Sequence, residues 1–405
     1  MGAHHLEASE EKLVSTKRTR IILAALLIPV FLATLVGLWA LWPSAAPERG
    51  TIQATSETAR KVYGTVIQTP QDDDLALVEL HGSGEQVDVI VPPEYIKAGI
   101  EVGDQFKILY IPEAAASGSP YVFMDFKRDV PILWLAIAYV VVVLAVARWR
   151  GLAAIAGLIV AFFVIVGFTL PAILGGSNAI GVALVTSFLV MFAVLYLAHG
   201  FNTKTSVALL GTIIGLLFTT ALAAWAVDAS NIGNLNDEYY LVLPAYAPQI
   251  NLSTIALCGI VLAGLGVLND VTITQSTAVW ELRAANPTLT RVQLFQRGMR
   301  IGQHHIASTV YTIAFAYLGA ALPMLLVVSL INMPLGETLT SGEIATEVVR
   351  TLVGSIGLVL AIPITTAIAA LCVKSPLSSA DNALPPSLVG SEPSTLLHGK
   401  AQPHS

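Results

Sequence analysis

The sequence predicts an α-helical polytopic membrane protein of about 8 transmembrane helices, with both termini in the cytoplasm and a small extracytoplasmic β-rich domain. Of its 405 residues, 55% are hydrophobic and 12% are charged, which is about half of the charged share of a soluble domain. A membrane span needs about 20 mainly apolar residues. Runs of this kind occur at residues 21–42, 130–147, 151–171, 179–198, 205–227, 251–269, 306–331 and 350–373.

The basic residues lie in alternate loops, and this sets the predicted orientation. Lys and Arg are enriched on the cytoplasmic side of membrane proteins. Residues 172–178 and 228–250 contain neither, so these loops are predicted to lie outside. The same rule places the N-terminus and the C-terminus in the cytoplasm. The basic residues assigned to the inner side are Lys12, Lys17, Arg18, Arg20, Arg148, Arg150, Lys204, Arg283, Arg291, Arg297 and Arg300.

Composition divides the chain into successive segments. The first span has the basic flank of a signal peptide, but its apolar core of roughly 20 residues favours a retained anchor. The end of the chain is rich in Ser and Pro without periodicity, which predicts disorder. The predicted segments are a cytoplasmic stretch 1–20, an anchor 21–42, a β domain 43–129, a seven-helix membrane domain 130–373 with a cytoplasmic amphipathic loop 279–305, and a cytoplasmic tail 374–405.

Residues 43–129 differ in character from the rest of the chain. The stretches KVYGTVIQT, LALVELH, EQVDVIV, QFKILYI and YVFMDF are short, rich in Val, Ile, Tyr and Phe, and separated by turn residues. Five strands in about 70 residues favour a small closed barrel or a sandwich, and we expect an OB-like barrel.

Asp270 stands where a long apolar run ends, in the stretch GVLNDVTITQSTAVWEL. Residues 252–268 are few for a membrane span, so the helix must either tilt little or continue through Asn269 and Asp270, which would carry the carboxylate into the bilayer. There, a carboxylate is a functional candidate that takes up and releases protons. The alternative is an N-cap for a separate cytoplasmic helix. The sequence leaves both interpretations open.

Polar residues predicted at the same membrane level are candidate partners of this carboxylate. His305 begins the next span and His199 ends an earlier one, and an imidazole side chain can both accept and donate a proton. His304 and His305 point about 100° apart on a helix, so they are not the paired ligands of a zinc helix, and no metal is expected. The proton-relay candidates are Asp270, Asn269, Glu281, His305 and His199.

The segment VQLFQRGMRIGQHHI within residues 279–305 is amphipathic and basic. It is predicted either to lie on the anionic inner leaflet or to dock a cytoplasmic protein partner as a coupling helix. Its Gly298 and Gly302 repeat the spacing of Gly211 and Gly215, which permits close helix packing. The loop or coupling candidates are Arg283, Arg297, Arg300 and Lys204, and the packing candidates also include Gly264 and Gly266.

The motifs of several enzyme classes do not occur in the sequence. It contains no glycine-rich phosphate loop followed by Lys, no HExxH helix and no GxSxG elbow. We therefore expect neither an enzyme nor a cofactor. A basic and aromatic face for nucleic acid is also missing.

Four blocks of the sequence together resemble the YibE/F family of membrane proteins. The resemblance implies a multi-pass architecture and a membrane location, and it implies no reaction. The chain departs from the family pattern at Asn269-Asp270, where Gly-Asp is expected, and at Gln303-His304-His305, where an acidic residue often follows Ile-Gly. The blocks are LYLAHGFNTKTSVALLGTIIGL, GLGVLNDVTITQSTAVWEL, FQRGMRIGQHHIASTVYTIAFAYLGAALPMLL and VVRTLVGSIGLVLAIPITTAIAA.

A shorter stretch is similar to the central helix of SecD/SecF proteins and RND-type carriers. The similar features are a Gly-rich turn, an Asn-Asp or Asp-Asp pair, a Glu and a basic interfacial segment, here Gly264, Gly266, Asn269, Asp270, Glu281 and Arg283. Two functions follow as hypotheses. One is a proton-linked carrier or export accessory that uses an intramembrane carboxylate. The other is a non-transporting scaffold that assembles with envelope proteins.

Overall fold

A computed structural model describes residues 16–43, 58–70, 74–113, 119–232, 243, 247–331 and 333–374. Its contacts divide the chain into two compact units, one over residues 45–158 and one formed by the remainder. Each unit has its own hydrophobic core. Apart from residue 374, the predicted tail 374–405 lies outside the described residues.

The secondary structure follows the predicted division into one β-rich segment and long helices. The elements are α1 (Lys17–Ala40), β1 (Arg60–Gln68), β2 (Leu75–Leu80), β3 (Gln86–Ile90), α2 (Pro93–Ala98), β4 (Gln105–Tyr110), β5 (Tyr121–Phe126), α3 (Asp129–Val164), a π-helical turn (Ile165–Thr169), α4 (Leu170–Leu174), α5 (Ala179–His199), α6 (Thr203–Ala229), α7 (Leu252–Ala285), α8 (Arg291–Ala320), α9 (Leu322–Ser329), α10 (Leu335–Thr340) and α11 (Gly342–Cys372).

The five strands form a closed barrel in the order β1-β2-β3-β5-β4. The barrel closes through antiparallel pairing of β1 with β4, and only the β3–β5 pair is parallel. Helix α2 lies between β3 and β4 in the chain. The barrel predicted from the sequence is therefore confirmed, and its strand order is that of an OB-like fold.

The barrel core is built by alternation along each strand. On β4, Phe106 and Ile108 are fully buried, while Lys107 points away from the core. The Phe106 ring meets the rings of Phe123 and Phe126 edge-on, with centroids 4.7 and 5.5 Å apart. Edge-to-face contacts of this kind add to the stabilisation from burial.

Six helical stretches of the described residues are long and apolar enough to cross a membrane, and a bent pair makes a seventh. The bent pair is α8 with α9, which meet at 66°. The prediction of a mainly helical membrane protein is thus supported. The count of eight separate spans is not reproduced.

The difference in count lies at Arg148. The two spans predicted at 130–147 and 151–171 form one stretch, Asp129–Leu174, of 46 residues. Arg148 alone has a non-helical backbone there, with φ 53° and ψ −130°. A helix of this length measures about 69 Å, roughly twice the thickness of a hydrocarbon core. The stretch is therefore long enough for two crossings that meet at Arg148.

Helix α7 lies at the centre of the helical unit and contacts α5, α6, α8 and α11. Leu209, Leu216, Ile260 and Leu268 pack in its largest core cluster. The hydroxyls of Thr212 and Thr272 form a buried hydrogen bond of 2.6 Å between α6 and α7. Where no water is present, two paired hydroxyls supply each other's hydrogen-bond partner.

The segment predicted as the amphipathic loop 279–305 is helical over most of its length. Helix α7 continues to Ala285, and after a turn at residues 286–290 helix α8 runs without a break through the whole basic segment. Thr290 starts α8 through a capping box with Gln293. The segment is helical as expected, but it is the first half of a longer helix and buries Leu294 in the core.

Candidate functional site

Asp270 lies in the interior of α7, so its interpretation as a helix N-cap is wrong. The N-cap of this helix is Asn251, whose side chain accepts a hydrogen bond from the backbone N–H of Thr254 at 3.2 Å. The apolar run and the polar stretch after it are one helix of 34 residues. The Asn-Asp pair does not break the helix because residues on either side are buried against neighbouring helices.

Asp270 belongs to the exposed face of α7. Gly266, Asp270 and Thr274 are exposed and recur at intervals of four residues, which places them on one side of the helix. Leu268, Val271 and Gln275, on the other sides, are buried. Between residues 262 and 276 the helix therefore has one exposed stripe, and Asp270 lies in its middle.

Packing between helices places Asp270 well inside the length of the bundle. Asp270 is 18 residues from Leu252, about 27 Å along α7. The next residue, Val271, shares a core cluster with Leu358 of α11. Leu358 is 14 residues from Cys372 and 16 residues from the first residue of α11. The carboxylate is therefore level with the middle of a neighbouring helix.

His305 of α8 faces this carboxylate. Its Nε2 is 3.8 Å from Asp270 Oδ2, and the two side chains are 31% and 67% exposed. This distance is too long for a hydrogen bond but brings the groups within ion-pair range. Nε2 of His305 and Oδ1 of Asn269 are both buried and have no hydrogen-bond partner. Three of the five predicted relay residues thus lie on these two helices at one level.

The remaining relay candidates lie elsewhere. Glu281 is 11 residues beyond Asp270 on α7, about 16 Å along the helix. His199 ends α5, where its carbonyl accepts hydrogen bonds from Asn202 and Thr205. Along α6, Thr205 precedes Thr212 by 7 residues, or about 10 Å. Thr212 is the residue whose hydroxyl bonds to Thr272 of α7. The expectation that Glu281 and His199 join Asp270 is therefore not supported.

Small residues and one buried amide set the approach of α7 to α8. Gln275 is 1% exposed and donates from Nε2 to the carbonyl of Gly298 at 2.7 Å. A Cβ on Gly302 would lie 2.5 Å from Cγ2 of Ile362 and 3.1 Å from Oε1 of Gln275. The predicted packing role of Gly298 and Gly302 fits this geometry. Gln275 was missed, although a lone amide between apolar helical neighbours is a recognisable signal.

Of the other packing and loop candidates, some contact a neighbouring helix and others are exposed. Gly211 and Gly215 face Thr365 and Ala361 of α11 at close range, whereas Gly266 meets no neighbouring atom. Arg297 and Arg300 are exposed on α8. The Lys204 carbonyl accepts a hydrogen bond from Ser276, so this residue is tied to α7 by its backbone.

One comparison with known proteins gives a match. A family model described as YibE/F-like protein covers residues 135–375, more than half of the chain. No curated protein and no solved structure matches. The local similarity to SecD/SecF proteins has no support in these comparisons.

Proposed function

Because the chain belongs to the YibE/F-like protein family, we propose that it is a proton-linked membrane carrier or export accessory in which Asp270 and His305 take up and release protons. The observation that carries this proposal is the approach of these side chains to 3.8 Å, level with the middle of α11. Ionisable groups at such a depth are expensive and usually serve an ion pathway. Proton exchange gives a reason for two ionisable side chains to face each other on neighbouring helices.

The proposed topology places both chain ends in the cytoplasm. Asp129–Leu174 then crosses the membrane twice, with its break at Arg148, and the bent pair α8 and α9 crosses once. This gives eight crossings and puts the β-barrel on the outer side. The basic residues Arg148, Lys204 and Arg283 fall on the inner side, in agreement with the positive-inside rule.

The exposed stripe on α7 supplies the route for protons. A carboxylate that is 67% exposed cannot face lipid without a large desolvation cost. We assign the space beside Gly266, Asp270 and Thr274 to water, which hydrates the carboxylate and carries protons to it. His305 faces this carboxylate with its Nε2 3.8 Å from Asp270 Oδ2, so it is the second group in the relay.

The experiment that tests this function needs no knowledge of a cargo. Purified protein is adsorbed on a solid-supported membrane, and a pH jump is applied while charge displacement is recorded. We expect a transient current from the wild-type chain that vanishes in Asp270→Asn, because the amide cannot accept a proton. Glu281→Gln is the matched control on the same helix and is expected to retain the current.

A current that is unchanged in Asp270→Asn would contradict the proton-linked function. It would favour a scaffold, for which Arg297 and Arg300 offer an exposed basic surface on α8. In that case Arg297→Glu with Arg300→Glu should impair the cellular role of the protein, whereas Asp270→Asn should not.

A further inference from the structure

Arg283, in the last turn of α7, is a buried cation. It is 4% exposed, and its Nη1 donates to the carbonyls of Pro287 and Leu289 at 2.9 and 2.7 Å. These bonds hold the turn between α7 and α8. Its Nε and Nη2 are also buried, but they have no acceptor.

The charge of Arg283 is not balanced by the part of the chain that the structure describes. Both acceptors of its hydrogen bonds are neutral carbonyls, and the charged group that acts on it is Arg291, which repels it. Arginine keeps its proton in proteins, so an anion at this position would balance the charge. A buried guanidinium without a counter-ion is strongly unfavourable.

A second orphaned donor lies one turn earlier on the same helix. Trp280 is 4% exposed, and its Nε1 is buried without a partner. Trp280 packs in one core cluster with Leu289, Leu294 and Val373. The end of α7, the start of α8 and the end of α11 therefore meet at Trp280. Within the part of the chain that the structure describes, Trp280 and Arg283 together carry three N–H donors without an acceptor.

We propose that this junction binds the phosphate group of an anionic phospholipid. Arg283 and Arg291 bind the phosphate oxygens, and Nε1 of Trp280 donates a further hydrogen bond. The planar guanidinium matches phosphate oxygens with paired hydrogen bonds. Basic pockets between transmembrane helices hold lipid headgroups in this way. The site is independent of the proton relay at Asp270.

The position of Arg283 along α7 favours a lipid over free phosphate. Arg283 is 31 residues from Leu252, which corresponds to about 46 Å of helix. A bilayer measures about 40–45 Å with its headgroups. Arg283 is thus at the level of the headgroups when the first turn of α7 is at the opposite surface. Arg291 is exposed and is the first group that a headgroup meets.

The test is the thermal stability of the purified full-length chain in detergent, titrated separately with phosphatidylglycerol, phosphatidylcholine and inorganic phosphate. We expect phosphatidylglycerol to raise Tm by several degrees, since a ligand that binds only the folded chain stabilises it. The other two additions should leave Tm unchanged. The rise should disappear in Arg283→Gln and shrink in Arg291→Gln.

Arg297→Gln is the matched control, because Arg297 is an exposed arginine on the same helix as Arg291, and it should keep the full rise. If Arg283→Gln does not fold, the exposed Arg291 provides the test by itself. Equal shifts with both lipids, or equal losses in Arg291→Gln and Arg297→Gln, would overturn the site. A rise with inorganic phosphate that the lipid does not exceed would overturn the lipid source.

Discussion

Gly302→Val is expected to destabilise the helical unit by about 1–3 kcal/mol or more. The first added atom would lie 2.5 Å from Cγ2 of Ile362, a methyl on a β-branched side chain whose χ1 rotamer is restricted in a helix. The same atom would press on Gln275, which bonds to Gly298. Helix α8 can relieve both contacts only by separating from α7 and α11.

The measurement is thermal unfolding in detergent. The fraction of protein that remains monodisperse is determined after heating to each temperature. Gly319→Val is the matched control, because Gly319 is on the same helix and meets nothing within 4 Å. Its effect should stay within about 0.5 kcal/mol. If both variants were equally stable, the packing of α8 against α11 would be wrong.

Phe106→Ala is expected to unfold the β-barrel while the membrane helices stay folded. Phe106 is fully buried, and truncating a buried Phe costs about 3–5 kcal/mol. A domain of about 70 residues has little more stability than that. The helical unit has a separate core, so it does not depend on this side chain.

Limited proteolysis of the full-length protein measures the effect. The variant should lose residues 58–126 rapidly and yield a stable membrane-embedded fragment. Met124→Ala, which changes a side chain on β5 that is 40% exposed, should digest like the wild type. Resistance of Phe106→Ala to the protease would show that the barrel core is not where the structure places it.

The sequence was most informative where a signal lies within one short segment. Short stretches rich in Val, Ile, Tyr and Phe and separated by turn residues, such as QFKILYI, predicted the barrel strands. The spacing of Gly298 and Gly302 predicted close packing. It did not identify Ile362 or Gln275 as neighbours, since spacing on one helix carries no information about its partner.

The errors arose where a polar residue was taken as a boundary. Asn269 and Asp270 end an apolar run, but helix α7 continues because Val271, Thr272, Gln275 and Ser276 are buried by other helices. Tertiary packing thus outweighs the local preference of these residues. Arg283 was predicted to belong to the cytoplasmic loop, yet it lies in the last turn of α7 and is buried, with hydrogen bonds to the carbonyls of Pro287 and Leu289. Hydrogen bonds from a side chain to the carbonyls of a following turn cannot be read from composition.

The proton route is tested most directly by measuring whether water reaches one face of α7. Single cysteines are placed at 266, 270 and 274 on the exposed stripe and at 268, 271 and 275 on the buried faces, in a chain whose Cys258 and Cys372 are replaced. Each is treated in membrane vesicles with a thiol reagent that cannot cross the bilayer. Labelling of the first three positions but not the second three is the predicted result. Uniform labelling of all six positions, or of none, would contradict a water-filled path to Asp270.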